Sequence, residues 1–375
     1  MEVKKILYLI NVDWFFASHF LQVGKEAIGR GYEVHLACTV TDKKNELESM
    51  GFIVHEANIS RSGTHVLQEL KTMYQIYKVM KLVRPDIVEF FTIKPVLYGG
   101  IVSRFLPARK KVFYITGLGY VFIAKGLKGF IVRNIVKAMY KIAITGKNNS
   151  VITENIFDKG LINSLKAVDE KQIKIIRGAG VDLDRYIYAE ENAKNIKVTM
   201  ACRLLKDKGV FEYIESAKIL KNKGIDAEFE LYGDIDIHNP VALINKDLEK
   251  IKKEGFVTVH GFSSDIANIF SKANIVVLPS YREGLPKVLI EAAACGRAVI
   301  TTNVPGCRDA IEVNKTGLLC EVKNAEDLAE KIEKLIVDEN LRKRMGRAGR
   351  ELAQKEFDIN KVVATHFAIY EDIDE

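Results

Sequence analysis

Short apolar runs alternate with amphipathic stretches from the start of the chain, and the runs are rich in the β-branched and aromatic residues that favour pleated backbone. In the first half they are "KKILYLIN" (4–11), "YEVHLACT" (32–39), "FIVHEAN" (52–58), "IVEFF" (87–91), "KVFYIT" (111–116) and "VITEN" (151–155). A polar stretch, "YAEENAKN" (188–195), interrupts the rhythm. It restarts with "IKVTMACRL" (196–204), "AEFELYG" (227–233), "VTVHGF" (257–262), "IVVLPS" (275–280), "RAVITTN" (297–303) and "GLLCEV" (317–322). Strands apolar on both faces and joined by helices predict parallel sheets covered on both sides. The expected architecture is α/β, with two doubly wound, Rossmann-like domains facing each other across a cleft. An N-terminal domain is expected over 1–180 and a C-terminal domain over 190–356, joined near 180–195. A last helix over 357–375 either stays on its own domain or crosses back to the first. Ligands of such sheets bind beyond the carboxyl ends of the strands, where the strand order reverses.

A length of 375 residues suits two cores better than one, and 48% hydrophobic with 28% charged residues marks a folded chain without repeats. The cysteines (Cys38, Cys202, Cys295, Cys307, Cys320) are scattered without metal-ligand spacing and read as reduced, buried residues. The sequence shows no signal peptide and no apolar run near the ~18–20 residues of a membrane span, so a cytoplasmic protein is expected. The net charge of +7 is uneven: residues 1–188 hold 28 Lys/Arg against 17 Asp/Glu, and residues 189–375 hold 28 against 32. Residues 90–153 hold eleven basic residues and no acidic one, which points to an anionic partner: membrane lipid, a phosphorylated substrate or nucleic acid. Nucleic acid is disfavoured, because no recognised module interleaves exposed aromatic and basic residues.

The stretch "REGLPKVLIEAAACG" (282–296) follows the buried-looking "IVVLPS" and sets Glu283 and Glu291 around a proline that can open a helix. Pro286 suits the first helical turn and Gly296 the position past the end, so a helix over about 286–295 is expected. Its N-terminus would offer free N–H groups to an anion, and the side chain of Glu291 leans toward that same end. Two carboxylates repel a bare phosphate but accept hydrogen bonds from hydroxyls, so a ligand carrying both, a nucleotide sugar, satisfies the arrangement. The plainer alternative is a solvated Glu283 and a Glu291 paired with a surface lysine. "ACRLLKDKGV" (201–210) adds Arg203 at a strand end and Lys208 before a helix, two cations able to stabilise a diphosphate leaving group.

"RLLKDKG", followed about eighty residues later by "LPSYREGLPKVLIEAAACGRAVITTNVPGCRDAI" and "GLL", resembles glycosyltransferase family 4, the retaining nucleotide-sugar transferases of GT-B architecture. "RGAGVDLDRY" (177–186) is similar to that family's interdomain stretch. The resemblance implies that Arg203 and Lys208 bind the donor diphosphate, that Glu283 contacts the sugar near the reacting carbon, and that Glu291 holds the ribose hydroxyls. It also implies that the backbone of Gly284, Leu285, Pro286, Lys287 and Val288 lines the donor, with Arg203, Lys208 and Glu283 as the catalytic set and with no metal or cofactor.

The N-terminal half departs from the commonest family pattern. "NVDWFFASHF" (11–20) replaces a Gly-Gly loop, and "YITGLGYVF" (114–122) puts Thr116 where many members have a histidine. "TGLGYVF" resembles the branch that extends undecaprenyl-diphosphate-linked sugars in bacterial surface glycans. That branch implies a UDP-sugar donor (N-acetylhexosamine or hexose), a lipid-diphosphate-linked acceptor and peripheral attachment to the inner face of the membrane. Read as a helix, 125–144 places Lys125, Arg133, Lys137 and Lys141 on one stripe and Leu127, Ile131, Ile135, Ala138, Met139 and Ile142 opposite. The apolar stripe is expected to pack inward and the basic one to face lipid headgroups, with Tyr120, Phe122 and Phe130 for shallow insertion. Thr116, Gly117, Tyr120, Lys125, Lys128, Arg133 and Lys137 are the candidate acceptor and membrane residues.

His19 is a weaker site candidate, His260 would flank the nucleobase, and His35, His55 and His366 read as structural. The D-x-D pairs in "VDLDR" (181–185) and "DIDIH" (234–238) are discounted as loop acids. A dinucleotide oxidoreductase would need G-x-G-x-x-G after the first strand, where "NVDWFF" stands. A non-hydrolysing nucleotide-sugar epimerase of the same fold, or a catalytically silent nucleotide-sugar-binding protein, are the alternatives.

Overall fold

The computed structural model describes residues 3–59, 66–118, 126–192, 194–237 and 239–372, without the side chains of Leu127 and Lys128. The chain forms two units, Met1–Ala179 with Asn360–Glu375, and Gly180–Ile359.

The first unit is built on β1 (Lys5–Val12), β2 (Glu33–Thr39), β3 (Ile53–Glu56), β4 (Ile87–Phe91), β5 (Lys110–Ile115), β6 (Asn149–Thr153) and β7 (Ile173–Ile175), in the order β3-β2-β1-β4-β5-β6-β7. All pairs are parallel. The strand order reverses at β1/β4. β7 was not among the expected strands: it has three residues, two of them exposed, too few to give an apolar pattern. The helices that follow β3 and β5, Val66–Val83 and Gly126–Ile144, share one apolar cluster against the sheet, and both touch the segment Pro95–Gly99.

Gly100 decides how the second of these helices is seated. A Cβ there would lie 2.6 Å from Ala143 Cβ, so glycine permits a close approach that any side chain would block. The face turned to the sheet is therefore Val136, Met139, Tyr140, Ala143 and Ile144. This corrects the expected inward stripe. Met139 packs against the core, but Ile131, Ile135 and Ile142 are about half exposed (51%, 54% and 49%), as is Phe130. Arg133 and Lys137, expected to face outward, are partly buried, and Lys141 is exposed.

The C-terminal helix Ile359–Glu371 completes the first unit. Its His366 is fully buried with its Nδ1 3.2 Å from Oε1 of the equally buried Glu89, and its ring stacks on Tyr114. Tyr370 donates its hydroxyl to Glu89 Oε2. Burial, reinforced by the charge of Glu89, pushes the Tyr370 pKa well up and keeps that hydroxyl protonated as a donor.

The second unit is built on β8 (Lys197–Ala201), β9 (Glu228–Tyr232), β10 (Thr258–Gly261), β11 (Ile275–Leu278), β12 (Ala298–Thr302) and β13 (Gly317–Cys320). The order is β10-β9-β8-β11-β12-β13, again parallel throughout, and it reverses at β8/β11. The ends of this unit are tied together: Val181 N–H donates to Phe357 O (2.7 Å) and Ile359 N–H to Val181 O (3.0 Å).

Candidate active site

The carboxyl ends of β8 and β11 are neighbours at the point where strand order reverses, the place where open parallel sheets hold ligands. After β8 the chain makes a short turn, Lys206–Lys208, passes through Gly209 at φ 76° and enters the helix Val210–Asn222. A Cβ at residue 209 would lie 2.2 Å from Pro279 O, so this glycine brings the turn against the loop that follows β11. Three hydrogen bonds hold the two segments in register. Tyr281 N–H (2.8 Å) and Ser280 Oγ (3.1 Å) donate to Asp207 O, and Tyr281 Oη donates to Glu212 Oε1 (2.6 Å).

The stitched loops bring Lys208 Nζ to 2.5 Å from Glu283 Oε1, with both side chains mostly buried. Burial alone would lower the ammonium pKa, but the charge and hydrogen bond of Glu283 outweigh it, so the pKa of Lys208 lies above its ordinary value and the group stays charged. Glu283 is therefore not a solvated loop residue. An ammonium has three N–H donors, so one bond to Glu283 leaves two directions for other acceptors. Arg203 lies two residues beyond β8, and its Nη1 donates to Asp236 Oδ2 at 2.9 Å. Asp236 comes from "DIDIH", which sequence reading discounted; its carboxylate orients one of the two candidate diphosphate cations.

The helix that carries the second glutamate spans Lys287–Ala294. Pro286 is not in its first turn, as expected, but caps it in extended conformation (φ −72°, ψ 116°), and Gly296 (φ 75°) lies just past its end. Leu285 and Pro286 are buried, while Gly284, Lys287 and Val288 are partly exposed around the helix start. Glu291 is 7% exposed. Its Oε1 accepts from Tyr186 Oη (2.6 Å) and lies 3.3 Å from Lys287 Nζ. Burial, with the charge of Glu291, pushes the Tyr186 hydroxyl pKa up, so Tyr186 is the donor. The lysine partner was foreseen as the plainer alternative, but the tyrosine was not. Tyr186 is 105 residues away in sequence, and no local signal announces such a pairing.

In the first unit Thr116 and Gly117 follow β5 and are partly exposed, with Gly117 at φ 117°. Tyr120, Phe122 and Lys125 lie outside the described residues, as does the side chain of Lys128. Arg133 packs its guanidinium 5.7 Å from the ring centre of Phe130. His19 ends the helix Asp13–His19 and stacks on Phe15 at 4.0 Å. His260, in the second unit, stacks on Tyr232 at 4.4 Å. His35 Nδ1 and His55 Nε2 are 2.9 Å apart between β2 and β3.

Two parallel α/β units, one with paired cations and carboxylates at its switch point, give the chain a GT-B fold. Residues 188–352 match the family model for glycosyl transferases group 1, and residues 5–155 match that for glycosyl transferase 4-like proteins. The chain is a glycosyltransferase whose two halves match these two models. It is 28% identical over 369 residues to the N,N'-diacetylbacillosaminyl-diphospho-undecaprenol alpha-1,3-N-acetylgalactosaminyltransferase of Campylobacter jejuni, covering 95% of each chain. It is 28% identical over 367 residues to the capsular polysaccharide biosynthesis glycosyltransferase CapM of Staphylococcus aureus, covering 95% of this chain and 94% of that one. Its fold is similar to that of HepE from Anabaena in complex with UDP and glucose, with a TM-score of 0.77 at 17% identity over 98% of this chain and 100% of that one.

Proposed function

We propose that this glycosyltransferase moves an N-acetylhexosamine or hexose, with retention, from a UDP-sugar to a lipid-diphosphate-linked glycan during bacterial surface polysaccharide or glycoconjugate assembly. The observation that carries the reading is the Lys208–Glu283 pair at the β8/β11 switch point, with Arg203 on the adjoining loop. The Campylobacter relative's diphospho-undecaprenol substrate supports the acceptor class, and the UDP in the HepE complex supports the nucleotide.

In this reading the diphosphate lies against the start of the helix Lys287–Ala294, and the free N–H directions of Lys208 and the guanidinium of Arg203 meet its oxygens. Glu291 accepts from ribose hydroxyls through Oε2, since Oε1 is held by Tyr186 and Lys287. Glu283 accepts from hydroxyls of the transferred sugar. The acceptor oxygen bonds to the anomeric carbon on the face from which the diphosphate leaves, and the acceptor proton passes to the departing phosphate oxygen. Charge grows on the diphosphate in that step, so the fixed cations stabilise the transition state more than the ground state.

Thr116 and Gly117 are assigned to the acceptor side. The half-exposed Phe130, Ile131, Ile135 and Ile142, with Lys141 beside them, suit shallow insertion into an anionic lipid surface and peripheral attachment at the inner face of the membrane. Among the described residues no helix is long and apolar enough to cross a membrane.

The test is a panel of UDP-sugars offered with undecaprenyl-diphosphate-linked mono- and disaccharides and scored by released UDP. One productive pair with an α-linked product from an α-linked donor is expected. Absence of UDP release with every pair would sink the reading. Serines at Ile131 and Ile135 are expected to cut sedimentation with vesicles containing phosphatidylglycerol several-fold, and unchanged sedimentation removes this helix from the membrane surface.

A further inference from the structure

The acid-free run of residues 90–153 does not gather its cations at the carboxyl ends of the strands. Lys110 begins β5 and Lys147 precedes β6, at the end of the sheet opposite Thr116. Both line a hollow of about 840 Å³ beside the amino ends of β5, β6 and β7, and the β6–β7 connection and β7 add Lys166, Lys171 and Lys174 to its wall. Lys147, Lys166, Lys171 and Lys174 are exposed and form no ion pair among the described residues. Among the described residues three acids share the wall with five lysines. The side chain of Asp169 caps the backbone at Gln172, Glu170 pairs with Lys159 at 3.2 Å, and Asp372 lies beside Lys110.

The frame around these lysines is hydrogen-bonded. Gln172 Nε2 donates to the carbonyls of Gly146 (2.9 Å), Lys147 (3.0 Å) and Asn149 (2.6 Å), and Asn149 Nδ2 donates to Ile144 O (2.9 Å). Lys110, buried to 4% exposure, donates to Asp372 O at the rim. Like charges held on one fixed frame repel one another, and a multivalent anion removes that repulsion. The volume is that of a small-molecule site, yet its lining is mostly polar, which suits a hydrophilic ligand rather than an apolar one. Lysines offer point charges without the fork geometry of arginine, which suits phosphate oxygens of no fixed orientation.

We propose that this hollow binds a ligand carrying two or more phosphate charges, at a site separate from the donor site of the second unit. The same chemistry is available from a free polyphosphate or from lipid phosphate headgroups, and the test separates them. Binding of inorganic tripolyphosphate to the full chain is measured by calorimetry at low salt, and sedimentation is measured with phosphatidylcholine vesicles with and without phosphatidylglycerol. Both are repeated on K147E/K171E/K174E and on R133E/K137E in the helix Gly126–Ile144.

Tripolyphosphate affinity is expected to fall at least tenfold in the hollow variant and to hold within twofold in the helix variant, with UDP affinity unchanged in both. If the lipid headgroup is the source, sedimentation with anionic vesicles falls in the hollow variant as well. If the source is free phosphate, tripolyphosphate binding alone falls. Retention of both probes by the hollow variant, or binding of neither by the wild-type chain, overturns the site. Loss of UDP binding through Lys208→Ala reports on the donor reading instead, so the two failures are distinguishable.

Discussion

After β1 the chain turns at Asp13, and after β8 it turns through Arg203 and Lys208; the two turns occupy the same place in sheets of the same design. Asp13 is fully buried, and its carboxylate accepts from Thr41 N (2.7 Å), Thr41 Oγ1 (2.5 Å), Lys43 N (3.1 Å) and Trp14 N (2.8 Å). Its partners are local backbone and hydroxyl groups, so the turn ties β1 to the segment beyond β2. Lys208 and Glu283 instead satisfy each other while each keeps unused bonding directions. A parallel sheet edge of one geometry thus serves as a joint in one unit and as a candidate ligand site in the other. The difference is whether the charges there have capacity left over.

The comparison breaks most readily at Lys208. Lys208→Ala is expected to lower turnover by roughly 10²–10³-fold, the scale of losing one fixed donor to developing charge, with the circular dichroism spectrum preserved. Near-normal turnover would show that the pair is a joint like that of Asp13. Asp13→Ala should do the reverse: a loss of about 3 kcal/mol in urea denaturation of the first unit, from the loss of four hydrogen bonds to a buried carboxylate, with UDP affinity intact. If UDP affinity fell with it, the two edges would not be separable in function.

Tyr186→Phe sharpens the picture of Glu291. The donor KM is expected to rise about tenfold with little change in kcat, since one hydrogen bond to a charged acceptor is worth about 1.5 kcal/mol or more. Discrimination against a 2′-deoxyuridine donor should shrink in parallel. An unchanged ratio between the two donors would leave Tyr186 as packing only.

The smallest effect concerns the outer strands of the first unit. Burial, with a smaller contribution from His35, holds the His55 pKa below its ordinary 6.5. The unfolded chain therefore takes up the proton first. Stability contributed by neutral His55 is complete above pH 6.5 and is lost as pH falls through the lower folded pKa. His55→Gln should flatten the thermal-stability profile between pH 7.5 and 5, and an unaltered slope assigns the acid sensitivity elsewhere.

Periodicity made most of the fold legible. The apolar runs sit within a few residues of twelve strands, because a strand buried on both faces must be apolar along its length. The helix that carries Glu291 was readable from Pro286 and Gly296, although the proline proved to be its cap. Periodicity also grouped Ile131, Ile135 and Ile142 on one stripe, but it could not say that Gly100 would admit the neighbouring face of Val136, Tyr140 and Ala143 to the sheet. The partners Asp236 and Tyr186 were illegible for a related reason. Each depends on where a distant strand end or loop comes to rest, and nothing in "DIDIH" or "DLDRY" encodes that position.

The order in which the chain is made bears on the buried Glu89. Its strand, β4, is translated early, whereas His366 and Tyr370 lie near the last residues of the sequence. During synthesis the first sheet must wait for the whole of the second unit before this carboxylate receives either partner, and until then water has to serve it. The first unit to emerge thus closes only after the second, and a ribosome-bound chain stalled before Ile359 holds all seven strands of the first sheet but lacks the helix that brings His366 and Tyr370 to Glu89.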